Sequence, residues 1–193
     1  LDLRFMKNSL FISLFVSIAL LVCAQDKYAY TYVCQKGKIH FYSSSPIEDI
    51  EATSNAAVCV LNTQTKKVYA KVLITSFDFK DRLMQQHFNE NYLESDQFPA
   101  AVLDMAISDS LDLTKDGVYD ITLKGSLEMH GVKQDREIKG KLTIANGVPS
   151  SATADFVVQL VDHKIKIPKA VIMNIAEAVK VDVVFTFEKY QKQ

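Results

Sequence analysis

The chain has 193 residues, 48% of them hydrophobic and 23% charged, with 22 basic residues almost balanced by 23 acidic ones. So much apolar content excludes intrinsic disorder, and the near-neutral charge gives no general electrostatic reason to bind nucleic acid or an anionic membrane surface. No repeat, low-complexity tract or long Pro/Gly/Ser linker divides the sequence, which predicts one compact domain.

The first element reads as a leader. "MKNSLFISLFVSIALLVCAQ" has Lys7 near its start and an apolar run over 10–22. Val22 and Ala24 stand at positions minus three and minus one of a secretory cleavage site. The run is shorter than the roughly 20 residues that span a bilayer. The expectation is a signal peptide over 1–24, with Met6 as initiator, and a single exported domain over 25–193, periplasmic or secreted and bacterial. Lipidation at Cys23 is the alternative processing, disfavoured by Val22 where a small residue normally precedes the lipidated cysteine. Losing Arg4, Lys7 and Asp2 with the leader leaves a net charge near −2.

Beyond the leader, period-two alternation dominates. "KGKIHFYSS" reads as a strand with Ile39 and Phe41 on one face. "SSSPIEDIEATSNAAVCVL" reads as a loop. "KKVYAKVLITSFDF" sets Val68, Ala70, Val72 and Ile74 together, then breaks step over Ser76–Phe79. An amphipathic helix is predicted over about 81–95, with Leu83, Met84, His87, Phe88, Tyr92 and Leu93 near one face. Pro99 marks re-entry into a strand, "AAVLDMAIS".

Asp116–Gly117 signals a turn. After it, Tyr119, Ile121, Leu123, Leu127 and Met129 share a face in "VYDITLKGSLEMHG". "DREIKGKLTIANG" ends on the hairpin signal Asn146–Gly147, and "SATADFVVQL" aligns Ala154, Phe156, Val158 and Leu160. "VDHKIKIPKAVIMNIAEA" is a loop or mixed segment. The last strand, "VKVDVVFTFEKY", alternates Val179, Val181, Val183, Phe185 and Phe187 against polar residues. About eight strands with short connections predict an all-β fold: an eight-stranded antiparallel barrel with one short helix inserted near 81–95. Such a barrel has room for packed side chains or one small ligand.

Chemistry is sparse. His40 and His163 read as surface residues, and no histidine or cysteine pair has zinc-ligand spacing. Glu48, Asp49 and Glu51 lack the pattern of a calcium loop. No serine sits in a nucleophile elbow, so the chain reads as a non-enzyme without a cofactor. Cys34 and Cys59, an even pair in an exported chain, suggest a disulfide; the other reading is two buried thiols. The oligomeric state stays open, a homodimer being one option.

"SFDFKDRLMQQHFNENYLESDQFP" followed by "LKGSLEMHGVKQ" resembles the YceI-like family of exported lipocalin-like proteins. The matching positions are Phe79, Leu83, Met84, His87, Phe88, Tyr92, Leu93, Ser95, Phe98 and Pro99, then Gly125, Leu127, His130, Gly131 and Val132. The resemblance implies a barrel with a long apolar interior that holds a polyisoprenoid chain, in some members one carried by a quinone-like head. Its hydrophobic small-molecule partner would be an isoprenoid lipid or quinone. Candidate wall residues are then Phe41, Ile74, Phe77, Met84, Phe88, Leu103, Met105, Tyr119, Ile121, Leu123, Met129, Phe156, Val158 and Phe185. Met84, Phe88 and Met105 are favoured because they surround the point where helix meets barrel. His87 and His130 are candidates for head-group contact, although for His130 the favoured reading is a residue that fixes its turn. The rival expectation is a barrel filled by its own side chains, acting as a stress-related or protein-interaction module.

Overall fold

The computed structural model describes residues 29–44, 49–166 and 177–191. The expected leader, most of the acidic turn before Asp49 and much of the mixed segment before the last strand lie outside them. Eight long strands are β1 (Thr31–Ser43), β2 (Ile50–Asn62), β3 (Lys67–Leu73), β5 (Ala100–Ile107), β6 (Gly117–Met129), β7 (Val132–Ala145), β8 (Val148–Gln159) and β9 (Ala178–Thr186). Two short pieces, β4 (Asp78–Phe79) and β10 (Glu188–Lys189), pair with β2 and β1. Each long strand pairs antiparallel with the next, and β9 returns to β1, closing the predicted eight-stranded barrel. Closure removes the outer edges that an open sheet of these strands would have.

The connections follow local chemistry. His130 (φ 52°) and Gly131 (φ 68°) form a two-residue turn between β6 and β7, and Asn146 (φ 54°) and Gly147 (φ 71°) form its counterpart between β7 and β8. Positive φ at both central residues matches the right-handed strand twist, and Asn-Gly supplies it at low cost. A helix α1 (Arg82–His87) starts where the Asp81 carboxylate accepts the Met84 amide at 2.8 Å. It runs on as a π turn over Phe88–Tyr92. Its face differs from the expected one: Leu83 is 59% exposed and His87 points outward, while Met84 and Phe88 are partly covered.

The segment read as a loop is largely a strand. β2 turns Ala52, Ser54, Ala57, Cys59 and Leu61 inward, with a register shift opposite Gly37. Small and polar inward residues give no hydrophobic alternation to read, and the shift breaks the period. The expected break near Ser76 is a 3-10 turn over Ile74–Ser76.

Packing divides the barrel along its axis. One end is filled by Tyr32, Leu61, Ile107, Leu113, Leu142, Ile144 and Phe187. Toward the α1 end, Phe41, Phe77, Phe79 and Phe88 form an aromatic group, with Phe41 and Phe88 stacked at 5.4 Å. A third cluster of Ile74, Leu93 and Ile165 packs with Phe88 and Tyr92 under α1.

Candidate functional site: an apolar cavity

Between the filled end and the α1 end lies a cavity of about 230 Å³. An apolar hole of ~150 Å³ already admits benzene and stays dry, so this one exceeds a packing defect. Every strand of the barrel except the stub β10 contributes to its wall, and its lining is almost wholly hydrocarbon. Small inward residues make the room: Ala70 on β3, Ala101 on β5, and Ala152 and Ala154 on β8 line it where larger side chains would fill it. Two hydroxyls beside the wall spend their polarity on the protein. Ser54 and Ser76 bond each other at 2.7 Å, and Ser76 Oγ also reaches the Leu73 carbonyl at 2.6 Å.

Of the residues named from sequence, Phe41, Ile74, Phe77, Met84, Phe88, Leu103, Ile121, Leu123, Met129, Phe156, Val158 and Phe185 line the cavity. Met105 does not. It faces inward but is packed away, 3% exposed, opposite Gly125 in the layer below the cavity surface. Tyr119 does not either. It sits at the filled end, where its hydroxyl donates to the Lys115 carbonyl at 2.9 Å. Alternation fixes which side of a strand a residue takes; Leu103 and Ile107, on the same face of β5, both meet the void, and it is packing over the bare backbone of Gly125 that keeps Met105 out of it.

Several wall residues were missed. Tyr92, Leu93, Leu160, Ile165, Val179 and Val181 also line the cavity. The first two carried a signal in the helical face already drawn, and the valines in the last strand's alternation. Ile165 follows a short 3-10 turn that no periodicity marks.

Neither histidine proposed for a head group reaches the cavity. His87 faces solvent on α1. His130 has both ring nitrogens engaged: Nε2 meets the Glu94 carboxylate at 2.7 Å and Nδ1 lies 3.1 Å from the His163 carbonyl. Phe98 packs edge-on against its ring at 4.6 Å. The two sequence phrases behind the resemblance therefore meet here, the first through Glu94 and Phe98, the second through His130 and Gly131. The role is the turn-fixing one.

His163, expected at the surface, is fully buried with 0% exposure. Its Nδ1 lies 3.0 Å from the Val132 carbonyl and its Nε2 has no hydrogen-bond partner. Burial above all holds its pKa below the usual imidazole value, with Arg136 acting the same way. Cys34 and Cys59 are cross-strand neighbours and both are free thiols in this structure, deeply buried. Burial, reinforced by Cys34, pushes the Cys59 thiol up to about 12.

The profile of the YceI-like domain matches residues 31–187. No curated protein matches the chain. Among solved structures, a polyisoprenoid binding domain from Saccharophagus degradans, implicated in plant cell wall breakdown, aligns with TM-score 0.66 and 14% identity over 85% of this chain and 100% of that one. BcnA of Burkholderia cenocepacia aligns with TM-score 0.58 and 15% identity over 78% of this chain and 96% of that one. The YceI protein of Campylobacter jejuni aligns with TM-score 0.55 and 14% identity over 71% and 81%. At these identities the likeness is one of fold.

Proposed function

Since the chain belongs to the YceI-like domain family, we propose that it is a binding protein for one long apolar chain, an isoprenoid lipid or the tail of a quinone. The observation that carries this reading is the continuous hydrocarbon-walled cavity inside the closed barrel. Each CH₂ moved there from water contributes about 0.8 kcal/mol, so affinity needs no polar recognition. The wall is almost wholly hydrocarbon, with Lys71 as the charged residue along it, which favours a ligand whose tail is buried and whose head stays in water. The polyisoprenoid-binding neighbour of like fold supports the same ligand class. Holding, sequestering or handing on a lipid needs no catalytic group, and we read the protein as a carrier rather than an enzyme. On the strength of the leader we place it outside the bacterial cytoplasm.

The test is a native mass spectrum of protein expressed with its leader and purified without detergent, followed by lipid extraction. A discrete extra mass, released on denaturation as an isoprenoid or quinone, is expected on a chain beginning at Gln25. A bare polypeptide mass, unchanged after incubation with such lipids, would replace this reading with that of a barrel acting through its surface.

A further inference from the structure

β7 and β8 stop pairing partway along their length. Their shared ladder runs from Ala145↔Val148 to Gly140↔Ala154, yet β7 continues back to Val132 and β8 on to Gln159. Past that rung β7 keeps its partner β6, as far as Met129↔Val132, and β8 keeps β9, as far as Gln159↔Ala178. Extending the register would set Lys139 opposite Asp155 and Glu137 opposite Val157; neither rung is formed.

The gap is triangular. Its apex is Gly140, where the strands come so close that a Cβ would stand 2.6 Å from the Thr153 carbonyl oxygen and 3.2 Å from the Ala154 Cβ. Its base is the 3-10 turn Leu160–His163, which crosses back to β7. There Gln134 Nε2 donates to the Asp162 carbonyl at 2.7 Å, and Arg136 Nη2 donates to the Asp162 carboxylate at 3.0 Å. Ile138, Phe156 and Val158 close the gap from inside with apolar side chains, and these same residues line the cavity.

The other partly paired seams are taken up again, β2 by β4 at Ala52↔Phe79 and β1 by β10 at Val33↔Glu188, whereas β7 and β8 do not meet again past Gly140↔Ala154. Opening the β7–β8 gap breaks side-chain packing and the bonds to Asp162. Such segments open at far lower free energy than the laddered core. Among the described residues, a packed cluster with Leu142 and Phe187 stands toward one end of the cavity, and Phe88, Leu93 and Ile165 pack toward the other.

We propose that the β7–β8 seam is a side door through which the apolar chain enters and leaves the cavity, with Asp162 as its latch. The proposal rests on the reading of the cavity as a ligand site, and the test separates the two. The fluorescent apolar probe N-phenyl-1-naphthylamine is loaded into the full barrel, and its release is timed by competition in a stopped-flow instrument. Asp162→Ala should release the probe about tenfold faster with the bound amount retained, and Gln134→Ala, which leaves the ion pair, should accelerate it less. Glu137→Cys with Val157→Cys, joined by a short bis-maleimide after loading, should slow release about tenfold against the same protein capped with a mono-maleimide. The buried native thiols stay out of this chemistry.

Equal rates in joined and capped protein, or an Asp162→Ala rate equal to wild type, would overturn the side door alone. No probe uptake by the wild-type protein would overturn the ligand-site reading and the side door with it.

Discussion

The ring of Phe185 lies on the bare backbone of Gly37: a Cβ there would stand 2.3 Å from the ring Cδ1 and 2.5 Å from Cε1. Gly37 sits at the register shift of β1, and Phe185 forms part of the cavity wall. Gly37→Ala should therefore push the ring into the void. The expected outcome is a smaller bound amount of apolar probe, with stability reduced by the ~1–3 kcal/mol typical of overpacking. Probe titration and thermal unfolding read the two effects; an undiminished capacity would mean that the ring yields in another direction.

Leu83 and Met84 are adjacent in α1 and face opposite environments, solvent for Leu83 and cavity for Met84. Met84→Glu would bring a carboxylate to an apolar wall, where an unpaired charge costs several kcal/mol. It should abolish probe binding in a protein that still folds. Leu83→Glu should bind as wild type does. Equal effects of the two substitutions would refute the orientation of α1.

His130 ties the β6–β7 turn to the segment after α1 through Glu94 and to the 3-10 turn through the His163 carbonyl. His130→Ala removes both contacts; the Glu94 carboxylate is 42% exposed and can turn to water, so the loss is about 0.5–1.5 kcal/mol for each hydrogen bond. A clearly lower melting temperature is expected, with Glu94→Gln intermediate because an amide can still bond the ring.

His163 makes stability depend on pH. Its pKa is lowered in the folded protein, so between that value and the unfolded value near 6.5 the unfolded chain binds more protons. Stability contributed by the neutral ring is complete above about pH 6.5 and is lost as pH falls through the folded pKa. His163→Gln keeps a donor for the Val132 carbonyl without titrating. It should flatten the fall in melting temperature on acidification, and an unchanged slope would assign that fall to other groups.

The two thiols should be silent until the barrel opens. With Cys59 pushed up to about 12 and both side chains buried, an Ellman titration of native protein should detect neither, and one in denaturant should detect both. Failure to react in denaturant would show that they had been oxidised to the disulfide that an exported pair suggests.

Much of the architecture was legible because one apolar face per strand had to be buried. The hairpins of β6, β7 and β8 stood out through Ile121, Leu123, Phe156 and Val158, and the β7–β8 turn through Asn146–Gly147. β2 was not legible, since Ala52, Ser54 and Ala57 are inward without being strongly hydrophobic. The cavity wall was readable in side but not in side-chain packing: Met105 lies over Gly125 between Leu103 and Ile107, which do meet the void, and Tyr119 turns its hydroxyl to the Lys115 carbonyl. His163 looked solvated beside Asp162 and Lys164; a backbone carbonyl far away in sequence, that of Val132, holds it inside. The parting of β7 from β8 left no mark, because Lys139, Asp155, Glu137 and Val157 alternate as they would in a continuous ladder.

β1 pairs with β2 across a short stretch of sequence but with β9 across most of the chain, and that long-range seam joins His40 to Asp182 across 142 positions. Until β9 arrives, the other seven long strands make a trough with an apolar floor, not a hollow. The hollow exists only once that long-range seam is made, and long-range pairing is the slow kind. A greasy molecule lying in the trough at that moment would be walled in without passing any entrance. Protein refolded from denaturant in clean buffer should then be empty where protein taken from cells is not, and the difference between the two would record what surrounded the chain when it closed.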